Sequence, residues 1–193
     1  MANKDIMLIN DEMSDMIIAA AAKLATTEGA HNLTVRKVLR ELEITNRVFY
    51  NRFHNIGEVL EIVYKNTVMQ MRECLAQKYD EKKDFFEYVL DVLTQVLIAT
   101  YDIREQFSQY AFEYDSINDT NYIWWRAEIK KLVEYAKGKD LIKKDIDADA
   151  LSYSIWCFSR GFNADAICRR FTKEEAVEYF RYGMSFFLEG LKK

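Results

Sequence analysis

Proline is absent from this chain, glycine occurs only six times and histidine twice. Without proline nothing removes a backbone donor or forces a helix to end, and so little glycine leaves few points of free backbone, so long helices are the expected elements. Three cysteines are too few for a disulfide scaffold and fit a reducing compartment. Cys157 and Cys168 would stand ~16 Å apart along one helix, too far to bridge, and buried thiols are expected. No run reaches the ~20 apolar residues of a membrane span, since Tyr88 to Tyr101 is broken by Asp91, Thr94 and Gln95. The start, MANKDIMLINDEMSDM, lacks the basic segment and long apolar core of a signal, so a cytoplasmic protein is expected.

Catalytic patterns are missing as well. There is no glycine-rich phosphate loop and no Cys-x-x-Cys pair, and Glu174 and Glu175 are adjacent, so on a helix they point apart. His31 and His54 are read as having no carboxylate or thiol at helical spacing. Neither an enzyme, a metal site nor a cofactor is therefore expected. What is present is 50% hydrophobic and 30% charged residues, the composition of a globular chain of 193 residues that can bury a core.

Its most informative stretch is TVRKVLRELEITNRVFYNRF, Thr34 to Phe53. Thr34 suits an N-cap, and Val35, Val38, Leu39 and Leu42 recur at three- and four-residue steps as one apolar stripe. Leu42-Glu43-Ile44 reads as a tight turn, and Thr45 as a second N-cap. From there Val48, Phe49 and Phe53 face inward, while Asn46, Arg47, Tyr50 and Asn51 fall on the opposite face. Arg can bond guanine and Asn adenine in a major groove, and Thr, Tyr and helix-start N–H groups suit phosphate. An ordinary hairpin with a solvated face would carry more Glu and Lys. The net charge of −4 hides a local excess: Arg36, Lys37, Arg40, Arg47 and Arg52 outnumber Glu41 and Glu43. Charges within about 10 Å set the field at a DNA surface, so a basic head on an acidic body is workable.

From about Met16 to Lys65 the chain resembles the TetR family of one-component transcriptional regulators, in the run IIAAAAKLATTEGAHNLTVRKVL, the hairpin, and VFYNRFHNIGEVLEIVYKN. The resemblance implies an all-α protein with an N-terminal three-helix helix-turn-helix DNA-binding domain, residues 1–54, and a C-terminal helical effector-binding and dimerisation domain, residues 55–193. It implies contacts to double-stranded DNA from Thr34, Arg36, Thr45, Asn46, Arg47, Tyr50, Asn51 and His54. Two departures stand out. The family commonly has Gly where this chain has Glu43, and a left-handed backbone costs a non-Gly residue roughly 1 kcal/mol, so a differently built turn is expected. A Lys usually follows the cap of the fourth helix, but Asn55 is followed by Ile56, leaving His54 as a substitute phosphate contact.

Helical periodicity continues on both sides. Met13, Met16, Ile17, Ala20 and Leu24 mark a first helix from about Asp11 to Glu28, stopping near Gly29. The fourth begins at the cap Asn55 and carries Val59, Leu60, Ile62, Val63, Val68, Met69, Met71 and Leu75 to about Tyr79. After the charged break Asp80–Lys83, four or five helices follow, the last opening with a Thr172–Glu175 capping box. The body is rich in aromatics, most of them expected as core. Tyr101, Phe112, Tyr122 and Trp125 are read as walls of a small hydrophobic effector site. Consecutive Trp124 and Trp125 cannot both face inward, and Glu113, Asp115 and Glu128 offer a place for a cationic group. Gly161, Ala164 and Gly183 mark close approach of the last two helices, which in the resembled family pair with their twofold mates.

The reading is a sequence-specific DNA-binding regulator, a ligand-responsive repressor acting as a homodimer on a palindromic operator, away from membranes. The competing reading is a helical interaction protein of the same fold without its own operator.

Overall fold

The computed structural model describes residues 8–73, 79–102 and 105–193. Among these, nine α-helices account for almost all regular structure: α1 (Glu12–Glu28), α2 (Val35–Leu42), α3 (Asn46–Tyr50), α4 (Ile56–Glu73), α5 (Phe85–Asp102), α6 (Glu105–Ile117), α7 (Asp119–Gly138), α8 (Ala148–Cys168) and α9 (Lys173–Glu189). They form two compact units, Met1–Met69 with Arg104–Tyr110, and Gln70–Ile103 with Ala111–Lys193. The unit boundary falls inside α4.

In the first unit, α1 opens with a reciprocal cap: the Asp11 carboxylate accepts from the Ser14 N–H, and the Ser14 hydroxyl accepts from the Asp11 N–H. It ends at Gly29, whose φ of 92° is a conformation that only glycine adopts easily. Its buried face is Ser14, Ile17, Ala20, Ala21, Leu24 and Ala25. Met16, expected on that face, is instead 45% exposed, because the buried stripe turns through the small alanines and leaves Met16 on the flank. Ile17, Val38, Phe49 and Val59, one from each of α1 to α4, are fully buried. Phe107 on α6 is also fully buried, and Tyr110 meets His31 edge-on at 6.0 Å, so a short stretch distant in sequence belongs to this unit.

In α4 the apolar face reads as expected through Val59, Leu60, Val63 and Val68, with Tyr64 added and Ile62 half-buried. Met69 is exposed at 61%, against expectation, since it follows Val68 directly and the helix turns it off the buried stripe. The expected extension through Leu75 lies outside the described residues.

The second unit packs α5, α7, α8 and α9 around Phe85, Leu93, Leu97, Ile129, Ile155 and Phe180. Asp147 caps α8 by accepting from the Asp149 and Ala150 N–H groups, and Thr172 with Glu175 forms the expected capping box of α9. Gly183 lets α9 close on α8, because a Cβ there would lie 3.1 Å from Phe158 Cζ. At Gly161 an added Cβ would meet nothing within 4 Å. Cys157 and Cys168 are exposed rather than buried, since the inward face of α8 is taken by Leu151, Ser152, Ile155, Asn163, Ala166 and Ile167.

Candidate nucleic-acid interface

The hairpin α2–α3 is assembled by local chemistry. Thr34 caps α2, its hydroxyl accepting from the Lys37 N–H at 3.3 Å, and Val38 points fully into the core. The turn is made with Glu43 in the left-handed conformation, φ 53° and ψ 36°. A differently built turn was expected, so this is a correction. The strain is accepted because the Glu43 N–H still closes on the Leu39 carbonyl and the Ile44 N–H bonds the same oxygen at 3.0 Å. Thr45 stands at the N-cap position of α3 but makes no side-chain cap bond, so its expected capping role is not realised. Its carbonyl accepts from the Val48 N–H at 3.1 Å, and its side chain is exposed.

From α3, Phe49 is fully buried and Phe53 almost so, with ring centroids 5.8 Å apart. Their burial turns Asn46, Arg47 and Tyr50 out to solvent. Asn51 is half-buried at the end of the helix, its carbonyl accepting from the Ile9 N–H at 2.9 Å.

The cations divide into two groups. Lys37 pairs with Glu28 at 2.7 Å, and Lys23 with Glu41 at 2.7 Å, so α1 and α2 are braced twice. Lys37 holds the Glu28 carboxyl below its usual range, and Glu41 raises the Lys23 ammonium. Arg52 is bidentate on Asp11, at 2.8 and 2.6 Å, and also donates to the Val48 carbonyl at 2.8 Å. The guanidinium holds the Asp11 carboxyl down at about 2. Lys37 and Arg52, counted from sequence as part of the basic surface, are thus largely neutralised within the head. Arg36 and Arg47 are exposed and have no ion pair among the described residues. Arg36, Lys37 and Arg40 line one open depression with Thr34, Leu39 and Ile44.

His54 is exposed, but its Nδ1 lies 2.8 Å from Glu58 Oε1 and its N–H donates to Glu58 Oε2 at 2.8 Å. A carboxylate therefore does stand at helical spacing with this histidine, contrary to the sequence reading. Asn55 caps α4 as expected, accepting from the Glu58 N–H at 3.1 Å. No group of three metal-ligating side chains occurs among the described residues.

Sequence reading missed the Asp11–Arg52 clamp, which fixes the segment just after α3 to the start of α1. A signal was present, since Asp11-x-x-Ser14 has the spacing of a cap. Its distant partner, 41 residues on, was not legible.

In the body, the four proposed effector residues do not share one wall. Tyr122 and Trp125 both meet Trp156, at 6.0 and 6.5 Å, while Tyr101 packs against the main core and Phe112 is half-buried on α6. An apolar cleft lined by Phe85, Val89, Leu93, Ile129, Ile155 and Leu188 includes none of the four and holds about 30 Å³, room for about one water. Tyr101 Oη is nonetheless buried without a hydrogen-bond partner, as are Ser159 Oγ and Asn163 Oδ1, four residues apart on α8. Burial, and then the charge of Glu175, push the Tyr101 phenol up. Glu128 is paired with Lys131 at 2.6 Å, and Asp115 accepts from Asn121 at 3.2 Å.

Residues 17–63 match the family model described as bacterial regulatory proteins, tetR family. The chain shares its fold with a putative TetR-family transcriptional regulator from Syntrophomonas wolfei, at 17% identity and a TM-score of 0.70, over 93% of this chain and 96% of that one. It is similar to the fatty acid degradation regulator FadR from Bacillus halodurans, at 14% identity and TM-score 0.69, over 91% and 96%. It is also similar to the regulatory protein TetR from Rhodobacter sphaeroides, at 15% identity and TM-score 0.66, over 88% and 95%. Among curated proteins none matches.

Proposed function

We propose that this chain, a DNA-binding transcriptional regulator of the TetR family by its matched head and its shared fold, works as a homodimeric repressor released by a small effector. The observation that carries the DNA reading is the polarity of α3, where burial of Phe49 and Phe53 leaves Asn46, Arg47 and Tyr50 exposed on one short helix. In a helix-turn-helix the first turn of the second helix reaches base edges, which assigns Arg47 to a base and Asn46 beside it. Thr34, Arg36, Thr45 and Tyr50 suit phosphate, with Asn51 and His54 at the margin. A mobility shift with the DNA upstream of its own gene tests this, and retardation should survive competitor DNA. Equal loss to specific and random competitor would favour the interaction protein without its own operator.

Self-association is supported by an exposed apolar strip on α9, where Tyr179, Tyr182 and Phe186 are 51 to 69% exposed. On α8, Tyr153 is exposed and Gly161 opens to free space. A twofold dimer presents two recognition helices, which reach one face of B-DNA when ~34–36 Å apart, and so implies a palindromic operator. Gly161→Leu should weaken the dimer while leaving helicity in place, because the protomer itself has room for the side chain. An unchanged mass in sedimentation would count against this interface.

For the effector, the support is that Tyr101, Ser159 and Asn163 each bury a polar atom without a partner in the body. Tyr101, Phe112, Tyr122 and Trp125 remain the proposed aromatic contacts, a site that opens only when the body repacks. Helix α4 runs unbroken from the head into the second unit, so an effector that prefers one placement of it changes operator affinity. The coupling must be reciprocal, typically about 5- to 150-fold. No described helix is long and apolar enough to cross a membrane. A regulator that binds DNA would act in the cytoplasm, where the DNA is. The shared fold supports a regulator rather than an enzyme.

A further inference from the structure

Arg72, in the last turn of α4, lies with its guanidinium carbon 4.5 Å from the centroid of the Trp124 ring. Its Nη2 donates to Asn121 Oδ1 at 3.1 Å, and the Asn121 amide donates in turn to Asp115, at 3.2 Å to Oδ1 and 3.3 Å to Oδ2. Asn121 is 7% exposed, and Trp124 is braced edge-on by the buried Trp125 at 5.0 Å. A ring face and a carbonyl oxygen backed by a carboxylate form a site for a planar cation. All of these residues belong to the second unit.

The resident fits it incompletely. Arg72 Nε is buried without a partner, and Arg72 makes no ion pair among the described residues. A buried donor left unpaired is a standing penalty, and Arg72 lies on a side chain that can swing to water. An external cation that places its own donor on Asn121 and its plane on Trp124, without stranding a second N–H, competes on favourable terms.

We propose that the Trp124–Asn121–Asp115 cage is a binding site for a planar organic cation of the guanidinium class, and that Arg72 occupies it as an internal ligand in this state. Binding of the external cation expels Arg72 and detaches the last turn of α4 from α7. This deepens the effector reading by giving the apolar effector a cationic head, and it rests on that reading only for its regulatory meaning.

The test is calorimetric titration of the free, full-length protein with phenylguanidinium, and with neutral phenylurea of the same shape. Arg72→Ala should bind phenylguanidinium about 10-fold or more tighter than the wild type, because the cage stands vacated, and phenylurea should not share the gain. Adding Trp124→Leu to Arg72→Ala should abolish it. Arg72→Met, which keeps the apolar stem, repeats the measurement if the alanine variant loses helicity by circular dichroism. No gain in either variant, or an equal gain for phenylurea, overturns the proposal. Since no DNA is present, that outcome leaves operator binding standing, and a protein that takes the cation but fails the mobility shift would retain the cage and lose the regulator reading.

Discussion

In the head, Arg36 and Arg47 stand in solvent with no ion pair among the described residues, whereas in the body Arg72, Arg126 and Arg160 are folded inward. Arg126 lies 5.6 Å from the Tyr122 ring and 5.5 Å from that of Tyr153, and donates to the Asp149 carbonyl at 3.0 Å. Arg160 donates to the Phe112 carbonyl and the Ser116 hydroxyl, both at 2.9 Å, near the C-terminal end of α6, where positive charge is favoured by the helix dipole. One residue type thus serves two purposes. Outward, its charge is available to a polyanion; inward, it joins aromatic faces and helix ends. The net charge of −4 averages over both and says little about either.

The largest effects are expected at the two cores. Phe49→Ala in the head and Phe180→Ala in the body each remove a fully buried ring and should cost about 3–5 kcal/mol. If the units are energetically separate, urea unfolding followed by circular dichroism will show Phe49→Ala bringing forward a minor transition that abolishes operator binding while most helicity persists. A single transition shifted equally by both variants would mean that the units fold as one.

A smaller effect separates outward from inward arginines. Arg47→Ala should weaken specific operator binding by about 1–3 kcal/mol and random DNA much less, and Tyr50→Phe should weaken both evenly. Neither should move the unfolding midpoint beyond error, since both side chains are exposed. Equal losses on both DNAs for Arg47→Ala would make it a phosphate contact.

The hairpin turn offers a change of opposite sign. Glu43→Gly relieves a left-handed residue and should stabilise the head by about 1 kcal/mol, read as a higher midpoint in the same urea experiment. No gain would show that the Glu43 side chain offsets the strain.

The smallest expected effect is the Asp11–Arg52 clamp. Arg52 depresses the Asp11 carboxyl from its ordinary 3.8 to about 2, so its contribution is present above 3.8 and is lost as pH falls toward about 2. Asp11→Asn should therefore flatten the acid limb of head stability between these values and leave the body's unchanged. An acid limb identical to the wild type would show the exposed pair to be energetically silent.

Caps and stripes were legible because they act over three or four residues of one chain. Thr34, Asn55 and the Thr172–Glu175 box are each settled by neighbours within a helical turn, and the inward Phe49 and Phe53 follow from the same period. The reading failed where a local rule met a competing local geometry, as at Thr45, whose side chain leaves the cap bond unmade, and at Met16 and Met69, which the apolar stripe passes by. Within such limits the residue order alone determined an all-helical chain with a helix-turn-helix near its start, whose recognition helix has one apolar and one polar face. Tertiary structure alone decided which charges remain available. Arg52 meets a partner 41 residues away, and Arg72 one 49 residues away, and such pairings follow from how helices pack rather than from any spacing along the chain. It also decided that Phe107 completes the head's unit and that the aromatic residues divide between clusters, because burial is a property of the packed whole.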